Sequence, residues 1–279
     1  MFIKGMIIAF EGVDCSFKET NYKEFCNRLI KEKDSSINIF QESFPRYDMK
    51  SSFFIKEWLN GVYNRSMLKE NPSIINTFYC LDRFDYWYGS NRINLLEQGN
   101  NCFIFDRYIY SSAFHNSTSG PGMYPSYDDF NFEYDYFKIP KPHITVLMRM
   151  KDFSVLEELI RAKKEKDCNE NDISFIRNSW EKLEQIVANI GNYSRNTGTE
   201  FVVIDCIDDK GNIKSKEQLA KDVWNGIVKA SAEYILHNTD FSSSKKSYYN
   251  EIMKYNVLGG VTADECIRGY IFEDDKIID

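Results

Sequence analysis

The chain has 279 residues, 43% hydrophobic and 28% charged, a balance that supports a buried core and excludes a disordered or fibrous chain. Its 35 lysines and arginines against 42 aspartates and glutamates leave a net charge of −7, which argues against a protein held to nucleic acid by phosphate neutralisation, so an anionic ligand needs a local basic pocket. No apolar run nears the roughly 18 residues of a membrane span, and the first residues carry no signal-peptide pattern, so a soluble cytoplasmic protein is expected.

In chain order, the run Met6–Phe10 reads as a buried strand, and Tyr22, Phe25, Cys26 and Leu29 behind it share one helix face. Ile37–Phe40 reads as a second buried strand. Asn71 and Pro72 look like an N-cap and first-turn pair opening a helix to about Glu97. Cys102–Phe105, Ile144–Met148 and Phe201–Ile204 supply three more strands, with helices over Ser154–Lys166, Asp172–Arg195 and Lys216–His237. Strands alternating with helices predict a parallel five-stranded α/β domain with its ligand site at the carboxyl ends of the strands. Seven scattered cysteines and only three histidines, His115, His143 and His237, fit reduced thiols and leave a zinc site of the usual kinds almost no ligands.

The loops after the strands hold the chemistry. Gly12 and Lys18 have the spacing of G-x-x-x-x-G-K-[ST] between a strand and a helix, but Phe17 stands at the second glycine and Glu19 at the hydroxyl. A phosphate cradle uses backbone N–H groups, a helix N-terminus and a lysine, and Cys15, Ser16 and Lys18 still occupy those positions. Phe17 requires the loop to open or its ring to turn away. Glu19 could ligate a cation or repel a triphosphate, and Thr20 can supply the missing hydroxyl. Arg46 and Arg107 follow the second and third strands, and Arg161, Lys163 and Lys164 follow the fourth.

Several separated segments resemble thymidylate kinase, a nucleoside monophosphate kinase of the P-loop class, over about residues 6–236. Phe10–Asp14 is similar to its F-E-G-x-D opening, Ser43–Tyr47 to its F-P-x-R loop, and Asp106–Ser111 to its D-R-Y-x-x-S segment, while Asp82 and Arg83 sit on a helix as they do there. Lys141-Pro142-His143 resembles the lead-in to its fourth strand. Lys166–Asp172 resembles the lid of a branch whose phosphate loop also reads F-K-E-T. The resemblance implies a three-layer α/β/α kinase domain over 1–237 with a lid at about 161–172, followed by a C-terminal extension over 238–279.

It also implies transfer of the γ-phosphoryl group of ATP to dTMP with Mg²⁺, in a homodimer, with no nucleic-acid or membrane partner. The acceptor is a phosphate already ionised at neutral pH, so alignment and charge neutralisation suffice. In that reading Lys18 holds the β- and γ-oxygens, Arg46 and Arg107 clamp the acceptor, and Arg161 and Lys164 neutralise the transferring group. Asp106 is the candidate Mg²⁺ ligand, with Glu19 its rival. By the same resemblance Asp14 meets the sugar 3′-hydroxyl, Arg83 and Ser112 meet the polar edge of thymine, and Phe44 and Ser111 join the acceptor site. Tyr79 either stacks on the base or packs in the core, and His115 stands where the family has a tyrosine beside the sugar's 2′ side.

The acidic run Asp128, Asp129, Glu133 and Asp135, interleaved with aromatics, reads as an exposed helix or insertion rather than a metal site. Beyond Asn238 a Ser/Lys stretch precedes Tyr255–Val261 and Ile267–Phe272, which are apolar enough to pack back on the domain or on a partner subunit. Other readings are a kinase for dUMP, a 5-substituted dUMP or dCMP, a non-catalytic nucleotide binder with a degenerate loop, and a nucleoside kinase using Glu11 or Glu42 as base.

Overall fold

In the computed structural model, which describes residues 5–32, 37–64, 66, 70–117, 128–164 and 171–238, each of the five apolar runs becomes a strand. They are β1 (Met6–Glu11), β2 (Asn38–Ser43), β3 (Asn101–Asp106), β4 (Ile144–Arg149) and β5 (Glu200–Asp205). All pair in parallel in the order β2-β3-β1-β4-β5, and helices cover the sheet in a three-layer α/β/α arrangement. The central strands β1 and β3 are buried at every residue, as continuous apolar runs between two helical layers must be.

Each strand extends past its apolar run to a polar residue, because ladder hydrogen bonds are made by backbone. The register sets Phe10 beside Asp106, Ser43 beside Asp106, and Arg149 beside Asp205. Polar strand ends therefore line one edge of the sheet. β2 is a correction to the expected buried run, since it spans Asn38–Ser43 and has only exposed and half-buried positions. As the edge strand it has one neighbour and tolerates Gln41 and Glu42.

Helix α1 (Lys18–Glu32) buries Tyr22, Phe25, Cys26 and Leu29 on one face, as its spacing predicts. Phe25 packs between Phe10 and Trp224, with ring centroids 5.6 Å from each. After α2 (Phe53–Leu59), the single helix expected from Pro72 to Glu97 is divided into α3 (Pro72–Phe84), a π-helical turn over Asp85–Gly89 and α4 (Arg92–Gln98). The wider turn buries both Tyr86 and Trp87, and Asn91 with φ 55° breaks the helix before α4. Trp87 Nε1 donates to Tyr108 Oη at 2.7 Å, and that hydroxyl donates to Pro140 O at 2.8 Å. This aromatic cluster fixes the chain where it leaves β3 for α5 (Ile109–His115).

The acidic run forms α6 (Asp128–Asn131) and a π-helical turn over Phe132–Tyr136. It is only partly exposed, because Phe130, Glu133 and Tyr134 are buried while Phe132 and Tyr136 face outward. Helix α7 (Phe153–Ala162) stops short of Lys166, its chain turning extended at Lys163. The helix expected over Asp172–Arg195 breaks at Asn189 into α8 (Ile173–Ala188), capped by Asp172, and α9 (Ile190–Thr197). Helix α10 (Lys216–Asn238) closes the fold against β5. A Cβ on its Gly226 would lie 2.4 Å from Val202 Cγ1, so that packing needs glycine. The lid segment 165–170 and the apolar stretches of 239–279 lie outside the described residues. Among the described residues no helix is long and apolar enough to cross a membrane.

Candidate active site

The turn from β1 into α1 takes a conformation that glycine-rich phosphate loops favour. Cys15 has φ 61° and Phe17 φ 59°, a left-handed backbone that costs a non-glycine residue on the order of 1 kcal/mol. Phe17 thus holds the second-glycine position with its ring turned against the edge of the core. At Gly12, with φ 158°, a Cβ would fall 2.6 Å from Ser16 Oγ and 2.8 Å from Met148 O. Asn21 Nδ2 donates to Phe17 O at 2.9 Å, and the Cys206 thiol, after β5, donates to Ser16 O at 3.4 Å.

Lys18 is buried with its ammonium on the Asp106 carboxylate. Burial and the nearby Arg107 lower its pKa, and Asp106 opposes that shift. Arg107 has φ 65° and places its guanidinium on three acceptors: the Asp14 carboxylate, Gly12 O at 3.2 Å and His115 Nε2 at 3.1 Å. Burial raises the Asp14 pKa, but Arg107 leads the opposing charges that hold it below the usual aspartate value. Glu11, wholly buried at the end of β1, accepts from Tyr108 N at 3.0 Å and from Ser111 Oγ. Burial raises its pKa, and its two hydrogen bonds anchor the turn after β3.

Two cavities meet here. One, of about 490 Å³, is walled by the loop from Val13 to Thr20 with Leu159, Ala162 and Lys163. The other, of about 140 Å³, is walled by Phe44, Tyr47, Tyr79, Arg83, Tyr108, Ser111, Ser112, His115, Asn116 and Phe175, among others. Asp14 and Arg107 belong to both walls.

No family profile and no curated protein matches this sequence. Among solved structures, the chain is similar to thymidylate kinase from Candida albicans, with a TM-score of 0.55 and 20% identity over 83% of this chain and 94% of that one. The chain has a thymidylate-kinase-like fold.

Within that thymidylate-kinase-like fold, the residues expected to bind substrate, Asp14, Phe44, Tyr79, Arg83, Arg107, Ser111, Ser112 and His115, all line the smaller cavity. Cys15, Ser16, Phe17, Lys18, Glu19 and Thr20 line the loop cavity. Arg46 lines neither. Its buried guanidinium is engaged by Asp82 (Nε–Oδ1 3.0 Å), by Asp85 (Nη2–Oδ2 2.6 Å) and by Ser51. Arg161 and Lys164 are also absent from both walls, Arg161 pointing along α7 to Glu157 at 2.5 Å. It is Lys163, named among the cations after the fourth strand but given no role there, that reaches the loop cavity. Glu19 lies exposed against Lys23 at 2.5 Å.

Arg83 is held on its far side by Glu133, with Nε–Oε2 2.7 Å and Nη2–Oε1 2.5 Å, and also donates to Ser112 Oγ at 2.8 Å and Tyr108 O at 3.2 Å. Glu133 was not among the expected site residues. Its only sequence signal is a carboxylate flanked by aromatics, which an exposed amphipathic turn shares.

Proposed function

We propose that the protein is a nucleoside monophosphate kinase that moves the γ-phosphoryl group of ATP to the 5′-phosphate of a deoxypyrimidine monophosphate, with dTMP as the first candidate. The observation that carries this reading is the junction of the two cavities. A donor chain of phosphates along the Lys18 loop and an acceptor in the aromatic cleft would meet beside one guanidinium, that of Arg107. Phosphoryl transfer to an ionised phosphate needs alignment and charge neutralisation and no general base. Lys18 and the first N–H groups of α1 would receive the β- and γ-phosphates, Lys163 would add charge from α7, and Arg83 would offer its remaining Nη1 hydrogen to a carbonyl on the base.

Asp106 suits Mg²⁺, an ion that takes one or two carboxylates and completes its shell with phosphate oxygens and water. Among the described residues no group of three or more His, Cys, Asp or Glu side chains could hold a metal ion, so such a shared site is the kind this chain can offer. When bound, the ion would neutralise charge on the phosphates.

The nucleoside-kinase reading loses the two bases offered for it, since Glu11 is enclosed by Tyr108 and Ser111, and neither Glu11 nor Glu42 lines either cavity. Mg²⁺-dependent ADP formation should appear with dTMP and be weaker or absent with dCMP, dGMP, dAMP, UMP and thymidine. Preference for dUMP would redirect the reading to that acceptor, and silence with every monophosphate would end it.

Two substitutions probe the loop. Gly12→Ala should weaken ATP binding by about tenfold or more, measured calorimetrically, because the added methyl must displace Ser16 or the Met148 carbonyl. Unchanged affinity would show that the turn is not a phosphate cradle. The double substitution Phe17→Gly with Glu19→Ser should bring no gain in turnover, since the Phe17 ring is packed against the core. A rise of about a hundredfold, roughly 2.7 kcal/mol and well beyond the ~1 kcal/mol of backbone strain relieved, would mark the loop as degenerate.

A further inference from the structure

The loop after β3 does not by itself orient the Arg107 guanidinium; three groups from two other segments do, the β1–α1 loop and the end of α5. Asp14 takes Nη2, while Gly12 O and His115 Nε2, at 3.2 and 3.1 Å, take the two hydrogens of Nη1. That leaves the Nε hydrogen and one Nη2 hydrogen for a ligand.

The protonation of His115 follows from hydrogen-bond accounting. Ser179 Oγ, on α8, donates its single hydrogen to Phe175 O at 3.0 Å, so toward His115 Nδ1 at 3.1 Å it can only accept. Nδ1 therefore carries the ring proton and Nε2 is bare, as it must be to accept from a guanidinium. Burial, reinforced by the Arg107 charge, pushes the pKa of this ring down to about 3. The ring also lies parallel to Phe175, 5.9 Å away at an interplanar angle of 8°.

We propose that His115 is a positioning residue: its bare Nε2 aims Arg107 so that the Nε and Nη2 hydrogens meet the acceptor phosphate, and Ser179 ties that aim to helix α8. With both ring nitrogens engaged inside the protein, His115 has no polar atom to offer a sugar hydroxyl, and only its carbon atoms can lie beside the sugar. The binding readout rests on the kinase reading; the ring's tautomer does not.

The test has two arms. Imidazole ¹⁵N spectra of the full chain, assigned by single replacement of each of its three histidines, should give His115 as the neutral Nδ1–H tautomer at pH 7. An Nε2–H tautomer or an imidazolium overturns the proposal. His115→Phe keeps a ring against Phe175 but removes the acceptor, and should weaken dTMP binding by about tenfold, the worth of one charge-assisted hydrogen bond. Binding of thymidine, which has no phosphate, should stay unchanged, and His115→Gln, whose Oε1 can accept from Arg107, should recover most of the loss. Unchanged dTMP affinity in His115→Phe, or equal losses for dTMP and thymidine, overturns the proposal. If the unaltered protein binds no nucleotide, the kinase reading falls, and the spectra alone then decide whether His115 holds Arg107.

Discussion

Replacing Arg107 with alanine should lower kcat/KM for the monophosphate acceptor by about 10³-fold, roughly 4 kcal/mol of transition-state stabilisation. The size follows from position. Arg107 is the cation common to both cavity walls, and its guanidinium is fixed beforehand by Asp14, Gly12 and His115. Charge that spreads over phosphate oxygens during transfer would thus be met without reorganisation. Arg107→Lys should recover only part of the loss, because an ammonium cannot serve three protein acceptors and still present a planar fork to phosphate. Steady-state kinetics with dTMP varied at saturating ATP measures both. Activity of Arg107→Ala within about threefold of the unaltered protein, less than ~0.7 kcal/mol, would remove the residue from the reaction. A melting curve serves as control, since Asp14 and Arg107 are partly exposed and their pair contributes little to stability.

Breaking the Arg83–Glu133 pair should be the costliest change to the fold. Both side chains are almost wholly buried and joined by two short hydrogen bonds. Glu133→Gln leaves a guanidinium in a low-dielectric interior without its counter-charge, and loss of one partner of such a pair costs about 3–5 kcal/mol. Denaturant unfolding should show that loss as a lower midpoint at unchanged slope. The double replacement Arg83→Met with Glu133→Leu removes both charges. It should regain most of the stability, short of about 1 kcal/mol for each contact that Ser112 Oγ and Tyr108 O no longer receive. Base binding should be lost in the double variant. If it is as unstable as Glu133→Gln, the cost lies in packing and not in unbalanced charge.

The pair also bears on what the cleft can select. An arginine alone in an aromatic cavity would draw a second anion, whereas Arg83, neutralised from behind, would present a single fixed N–H suited to a neutral acceptor. Its pKa is raised despite burial, with Glu133 the leading favourable charge, so it stays a cation with its donors in place.

How far the amino-acid order alone carries depends on the range of the interaction concerned. The central strands were legible because continuous apolar runs such as Met6–Phe10 and Cys102–Phe105 have no other stable home than the middle of a covered sheet. The inward face of α1 was legible because Tyr22, Phe25, Cys26 and Leu29 repeat at helical spacing. The residues that gather in the two cavities were legible because parallel topology delivers every strand's following loop to one edge. Each of these rests on spacing along the chain.

What was not legible rests on pairings across space. Arg46 follows β2 as a phosphate clamp would, yet it is engaged by Asp82 and Asp85 of a helix and a turn 36 and 39 residues further on. Glu133 looked like a solvated carboxylate until the π-helical turn carried it under Arg83, 50 residues away in sequence. Lys163, rather than its neighbours Arg161 and Lys164, faces the loop cavity because α7 ends where it does. A side chain's type and interval are written in the chain, but which opposite charge it meets, and whether water is left to compete for it, depends on distant segments being packed together.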